Sequence, residues 1–133
     1  MTNKIIPKVK VLKINRDKWL TGECTRYHLE SDSCLLSKTG RMCCLGFYMI
    51  QAGYKPSTIK GKGAPHEIAS TKYRLPELID GCDNAEETNE LIGINDNEEI
   101  SREVREKRIT KGFKSIGVKV RFVGKYPKEL DQA

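Results

Sequence analysis

The chain has 133 residues, 38% hydrophobic and 32% charged, and its 24 Lys and Arg against 18 Asp and Glu leave a net charge of +6. That length suits a single domain, 1–133, able to bury a core without disulfide or metal staples. Periodic Val, Ile, Leu and Phe exclude a wholly disordered chain, and the longest apolar run, 43–50, falls far short of the roughly 20 residues that span a bilayer.

In chain order, Val9, Val11 and Leu12 interleave with lysines as a first strand. Val9 and Val11 share one face, Lys8 and Lys10 point away, and the slip at Leu12 and Lys13 predicts a bulge or the strand end. Asn15 or Asp17 caps a short helix carrying Trp19 and Leu20 and stopped by Gly22. Residues 33–36 read as a short strand, and Lys38, Thr39 and Gly40 supply a turn. The run Arg41-Met42-Cys43-Cys44-Leu45-Gly46-Phe47-Tyr48-Met49-Ile50 marks the core helix, because free thiols are among the most buried side chains. Gly53 ends that helix and Pro56 lies just beyond. Residues 55–65, with Pro, Ser and Gly, read as a loop, and 75–78 as a turn or short helix at best. Asp83 or Asn84 caps a helix through Leu91 and Ile92 that closes around 93–95. Ser101 caps the last helix, with Glu103 in its first turn near the positive end of the dipole. Arg105, Ile109, Phe113 and Ile116 follow helical spacing up to Gly117, and Val118, Val120 and Phe122 alternate with Lys119 and Arg121 as a final strand. The sum is an α+β fold: a small, mainly antiparallel sheet packed with two to three helices.

Charge is unevenly spread. Residues 1–19 carry six basic side chains against Asp17, residues 83–106 carry nine acids against Arg102 and Arg105, and residues 107–128 carry eight basic side chains and no acid. Such opposition steers an anionic partner or pairs one protomer with another; its bland reading is a solvated surface.

The five cysteines, Cys24, Cys34, Cys43, Cys44 and Cys82, are an odd number, and residues 1–13 lack the apolar core of a leader peptide. The expectation is a cytosolic chain with reduced, buried thiols. Cys24, His28, Cys34 and Cys43 lack the Cys-x-x-Cys knuckle from which structural zinc usually starts, so no metal is expected. Cys43, just inside a helix start after Arg41, is the sole candidate nucleophile, but neither His28 nor His66 stands as an obvious base, and no catalytic set is expected. No P-loop or dinucleotide fingerprint is present. Arg102, Arg105 and Arg108, spaced by threes on one helix, offer planar donors suited to phosphate. Against that stand the i,i+4 pairs Glu103 with Lys107 and Arg102 with Glu106, which suit a solvated face.

Further landmarks accumulate: Ile14-Asn15-Arg16-x-x-Trp19-Leu20-x-Gly22, Gly40-Arg41-Met42-Cys43-Cys44-Leu45-Gly46-Phe47, Gly53, Ile94-Asn95-Asp96, Arg105-Glu106-Lys107-Arg108-Ile109 and Ile116-Gly117-Val118-Lys119-Val120-Arg121-Phe122-Val123. In this order they resemble small proteins of phages and prophages, and among these the Thoeris anti-defence sponges. The likeness runs from 14 to 123 and leaves out 55–76. It implies an oligomeric, non-enzymatic phage protein of the host cytoplasm, without cofactor. Such a protein sequesters a cyclic ADP-ribose signal made by bacterial TIR-domain enzymes, or a cyclic oligonucleotide, without degrading it.

The family's contact residues are not carried over; the candidate ligand set rests on chemistry. Arg105 and Arg108 grip phosphate, Asn95 or Asp96 reads ribose or base edges, Tyr27 or Phe113 stacks, and Arg26 and Arg41 are reserve cations. A domain this small needs a second copy to wall a pocket, so a dimer or larger even-numbered assembly is expected. The alternative is a phage nucleic-acid-binding or protein-inhibiting regulator, anti-CRISPR-like proteins included; the basic last strand permits it, although no aromatic pair interleaves with arginines as in an RNA-binding sheet.

Overall fold

A computed structural model describes residues 4–5, 9–63, 73–74 and 85–131. Its elements are β1 (Lys4–Ile5), β2 (Val11–Asn15), a 3-10 turn (Arg16–Lys18), α1 (Gly22–Arg26), α2 (Cys44–Gln51), α3 (Pro56–Ile59), β3 (Tyr73–Arg74), α4 (Ala85–Asp96), α5 (Arg102–Lys114), β4 (Lys119–Val123) and α6 (Lys128–Asp131). This is an α+β chain with more helices than the two or three expected, although α1, α3 and α6 have only four or five residues each. The expected caps at Asp83 or Asn84, the turn at 75–78, His66 and Cys82 lie outside the described residues.

β2 and β4 pair in parallel, with Val11 opposite Lys119 and Ile14 opposite Phe122, and β1 and β3 also pair in parallel. The expected mainly antiparallel sheet is therefore corrected. No tight turn joins β2 to β4. The chain between them passes through α2, α4 and α5, and a long helical crossover brings strands back in the same direction.

The phase of β2 also differs from its expected one. Its buried residues are Leu12 and Ile14, while Val11 is 50% exposed. Val9 is buried, but a bend at Lys10 separates it from the strand and shifts the alternation by one. There is no bulge at Leu12 and Lys13. Gln51, at the end of α2, closes the outer edge of β2: Lys13 N donates to its Oε1 (3.0 Å) and its Nε2 donates to Lys13 O (2.7 Å). The amide stands where a further strand would.

α2 forms where the apolar run predicts, with Cys44, Leu45, Phe47, Tyr48 and Met49 buried, and Gly53 follows it at φ 110. Gly46 is required by a close approach, since a Cβ there would drive into the Leu35 carbonyl. The expected helix through Trp19 and Leu20 is instead a 3-10 turn capped by Asn15, ending at Trp19. Extended backbone then pairs with the segment before α2 through Leu20 N to Met42 O (2.7 Å) and Met42 N to Lys18 O (2.9 Å). The strand expected at 33–36 shrinks to one bridge between Leu36 and Lys60. Within the expected loop 55–65, Pro56 takes the first position of α3, where its fixed φ suits a helix start and its missing N–H is not needed.

Ser101 caps α5 as expected, its hydroxyl accepting from Val104 N (3.2 Å), and the helix buries Arg105, Ile109 and Phe113. Phe113 stacks on Tyr48 of α2 with ring centroids 6.1 Å apart. A smaller cluster of Leu20, Cys24 and Leu130 anchors α6. Among the described residues no helix is long and apolar enough to cross a membrane.

Two glycine substitutions should diverge. Gly46→Ala is expected to lose about 3 kcal/mol or more in urea denaturation, because backbone rather than a side-chain tip must move. Gly93→Ala, in α4 with open space around its Cβ, should gain about 0.5–1 kcal/mol from reduced unfolded-state entropy.

Candidate functional site

The candidate ligand residues fall in separate places, and three of them are interior. Asn95 is fully buried. Its Oδ1 accepts from Trp19 Nε1 (2.7 Å) and Cys44 N (3.0 Å), and its Nδ2 donates to Leu20 O (2.8 Å) and Asp96 Oδ1 (2.9 Å). Asp96, half-buried beside it, also accepts from Ser33 Oγ (2.5 Å). Phe113 is fully buried against Tyr48.

Arg105 is 1% exposed. It shares an i, i+4, i+8 stripe with Ile109 and Phe113, so the side of α5 that faces the core carries it inward. Its Nη2 donates to the carbonyls of Asn97 and Ile100, holding the turn between α4 and α5. Burial, partly offset by Tyr126 and Glu23, lowers its pKa. Arg102 and Arg108 stand on either side of that stripe, about 120° apart on a helix with 3.6 residues per turn, so the three arginines spaced by threes meet three different surroundings.

Of the remaining candidates, Arg26, Tyr27 and Arg108 are exposed and Arg41 is mostly covered. Arg41 faces Glu30 (3.5 Å) and Glu129 (4.0 Å) with only 13% of its side chain exposed. Arg26 lies over the ring of Tyr27 at 5.4 Å and donates to Glu98 O (2.9 Å), in a shallow depression that Glu23, Glu98 and Glu99 make acidic. Arg108 is exposed on a cleft of about 490 Å³ between α4 and α5, with Leu91 and Ile94 in its wall and Glu90 and Lys111 at its rim. The structure thus brings Arg26 to Tyr27 and Asn95 to Asp96, and leaves the two pairs and Arg108 apart.

A further constellation had no place in the candidate set. Arg16 forks onto Glu106 (Nε to Oε2 2.9 Å, Nη2 to Oε1 2.8 Å), and Tyr126 donates to the same carboxylate at 2.6 Å. Arg102 forks onto Glu23 at 2.8 Å twice, reaches Asp131 at 2.9 Å, and lies over the Tyr126 ring at 4.3 Å. Behind them Trp19 packs on Phe122 (5.1 Å) and Tyr126 (6.3 Å). The groove above, of about 1140 Å³, adds Asp17, Lys125, Lys128 and Glu129. Its four cations face five carboxylates, counting Arg16 and Arg102 against Glu103, Glu106 and Asp131 as well, so it offers a polyanion no net attraction. The signal in the sequence was the Arg16 landmark, but its partner lies 90 residues away.

Burial raises the Glu106 pKa, yet the hydrogen bonds from Arg16 and Tyr126 outweigh it and leave the carboxyl below the usual glutamate range. Burial, then Glu106, pushes the Tyr126 phenol up. Burial also lifts the Cys43 thiol to about 12 and Cys44 well above its ordinary value, and raises half-buried Cys34. Cys43 precedes α2, but buried beneath apolar neighbours it stays protonated near neutrality. Among the described residues no group of three or more His, Cys, Asp or Glu side chains is arranged to hold a metal ion.

Comparison with protein-family models, with curated proteins and with solved structures finds no match to this chain.

A carboxyl whose folded pKa lies below its unfolded one contributes stability that is present above the unfolded value, about 4.3 for glutamate, and is lost as pH falls through the folded value. Thermal melts of the native chain and of Glu106→Gln should therefore draw together as pH falls below the unfolded value of about 4.3. They should separate, with the native chain higher, as pH rises toward neutrality. A constant gap across that range would show that Glu106 acts by shape alone.

Proposed function

We propose that this protein is a non-enzymatic binder that sequesters a small anionic signal of the cyclic ADP-ribose or cyclic oligonucleotide class, acting as a phage anti-defence sponge. The signal class comes from the resemblance to the Thoeris anti-defence sponges. The observation that carries the binding site is the cleft between α4 and α5. Its rim cations, Arg108 and Lys111, have no ion-pair partner among the described residues, whereas Arg16, Arg41 and Arg102 all have carboxylates.

In this reading Arg108 grips one phosphate through two parallel N–H donors and Lys111 neutralises a neighbouring one. Leu91 and Ile94 supply an apolar wall for a base or ribose face, and Glu90 accepts from a ribose hydroxyl or exocyclic amine. About 490 Å³ falls within the range of small-molecule pockets. The cleft is open on one side, and a second protomer closing it gives the dimer or larger even-numbered assembly that sequestration favours.

A second reading rests on its own observation. Lys13, Lys119 and Arg121 are exposed on the face of the β2 and β4 pair opposite buried Leu12, Ile14 and Val120, Lys10 is exposed at the bend before it, and none has an ion pair among the described residues. Such a face suits a nucleic-acid backbone and a binding strength that falls steeply with salt.

Calorimetry with cyclic ADP-ribose isomers and cyclic dinucleotides distinguishes the readings. Micromolar or tighter binding is expected, with intact ligand recovered after heat denaturation of the protein. Arg108→Ala should weaken it by about 10- to 100-fold, the loss of a charge-assisted contact. Consumed ligand would make the protein an enzyme. Absence of binding to any such signal, with a duplex shift abolished in Lys13→Glu/Arg121→Glu, would give the site to nucleic acid.

A further inference from the structure

The two edges of the β2 and β4 pair are treated differently. The outer edge of β2 is closed by the Gln51 amide at Lys13. On β4, Lys119 N donates to Lys10 O at 2.9 Å, which fixes the ladder. In a parallel pair, alternate residues bond to the neighbour, so Lys119, Arg121 and Val123 turn their backbone toward β2. Val120 and Phe122 then aim their N–H and C=O outward, and among the described residues no strand pairs with them.

A groove of about 450 Å³ runs beside this edge, between β4 and α5, lined by Thr110, Lys114, Gly117, Val118, Lys119 and Val120. Val118 and Val120, 1% and 9% exposed, form its apolar floor. Gly117, at φ 83, brings no side chain to its mouth. The rim is cationic: Lys114 and Lys119 line it, Arg121 follows on the same strand, and residues 107–128 contain no acid.

We propose that this edge docks an extended acidic segment of another protein, which adds itself to β4 as a third strand. The ladder is supplied by Val120 and Phe122. Because side chains alternate along a strand, one set of the guest's side chains drops onto Val118 and Val120 and must be small and apolar. The other set stands on the open face beside Lys119 and Arg121 and must be Asp or Glu. A second copy of β4 is the wrong guest, since edge-to-edge pairing would bring the Lys119 and Arg121 of both copies onto one face. The groove lies apart from the Arg108 cleft, so the two sites stand or fall separately.

The probe is a short fluorescein-labelled peptide of alternating Val and Asp, followed by anisotropy and by amide shifts in the protein. Binding with Kd near or below about 100 μM is expected, with shifts concentrated at 118–122 and none in a Val and Lys peptide. N-methylation of the guest amides that face β4 should weaken binding by about tenfold or more, while N-methylation of the alternate amides should not. This control alters no residue of the protein. Lys119→Glu/Arg121→Glu should abolish binding of the acidic peptide, and Arg108→Ala should leave it unchanged. The proposal is overturned by no binding at that concentration, by equal loss from both methylation patterns, by shifts in the α4–α5 cleft instead, or by a concentration-dependent dimer whose interface maps to β4.

Discussion

The Asn95 carboxamide is the contact on which the rest of the structure depends. It is fully buried, and both its oxygen and its nitrogen are used twice. Three of those bonds reach segments 51 to 76 residues away: the Trp19 indole, the Leu20 carbonyl and the first N–H of α2. Helix starts leave N–H groups without partners, and Cys43, at the cap position of α2, makes no side-chain capping bond. Asn95 supplies that cap from across the core. Leaving a buried polar group unpaired costs about 1–3 kcal/mol, so losing this one side chain strands several groups at once. Asp96 orients the amide, and Gly22 lets α1 press its backbone against the carbonyls of Asp96 and Asn97, where no Cβ fits. The landmarks Trp19, Leu20, Gly22, Cys44 and Asn95-Asp96, scattered along the sequence, are parts of one junction.

A second layer of order is electrostatic and sits on that junction. Trp19 packs on Phe122 and Tyr126, and the Tyr126 ring carries Arg102 on its face while its hydroxyl binds Glu106, already held by Arg16. Exposed ion pairs contribute little, but these are forked, partly covered and stacked on aromatic rings, so geometry rather than charge alone holds them. The arrangement also ties the C-terminal helix to the body through Arg102 to Asp131 and the burial of Leu130. Opposition between the basic ends and the acidic middle of the chain is thus spent at least partly within one molecule: Glu106 of the acidic stretch neutralises Arg16 of the basic one.

Local signals were legible and distant ones were not. The apolar run of α2, the Ser101 cap, the Ile109 and Phe113 stripe, Gly53 and the alternation of β4 each depend on neighbours within a turn or two, and each appears as the sequence implies. The parallel pairing of β2 and β4 depends on a crossover of about a hundred residues, which leaves no turn signature to read. The buried face of β2 departs from the sequence pattern because one bend at Lys10 reverses the phase, and a period of two has no tolerance for a slip. Asn95, Asp96, Arg105 and Phe113 carry groups that could serve a ligand, but residue type does not distinguish a polar group aimed at solvent from one that joins elements. For Arg105 the distinction was present in the spacing, since it continues the apolar stripe of its own helix.

That stripe also divides the charge of α5 into two kinds. Arg105 lies on the core line, and the Arg102 and Glu106 flank is locked by Glu23, Asp131, Arg16 and Tyr126. The opposite flank, Arg108 and Lys111 with Lys114 toward the end, forms no ion pair among the described residues and opens onto the α4 cleft, where Glu90 stands at the rim, and onto the β4 groove. One helix therefore sorts its cations by angle, some closing the fold and some facing outward. Cations left without carboxylate partners repel one another, a cost that an anion bound beside them would relieve. Both proposed sites, the α4 cleft and the β4 edge, lie on this outward-facing flank, whereas in the wider groove over Tyr126 the positive charge is already matched.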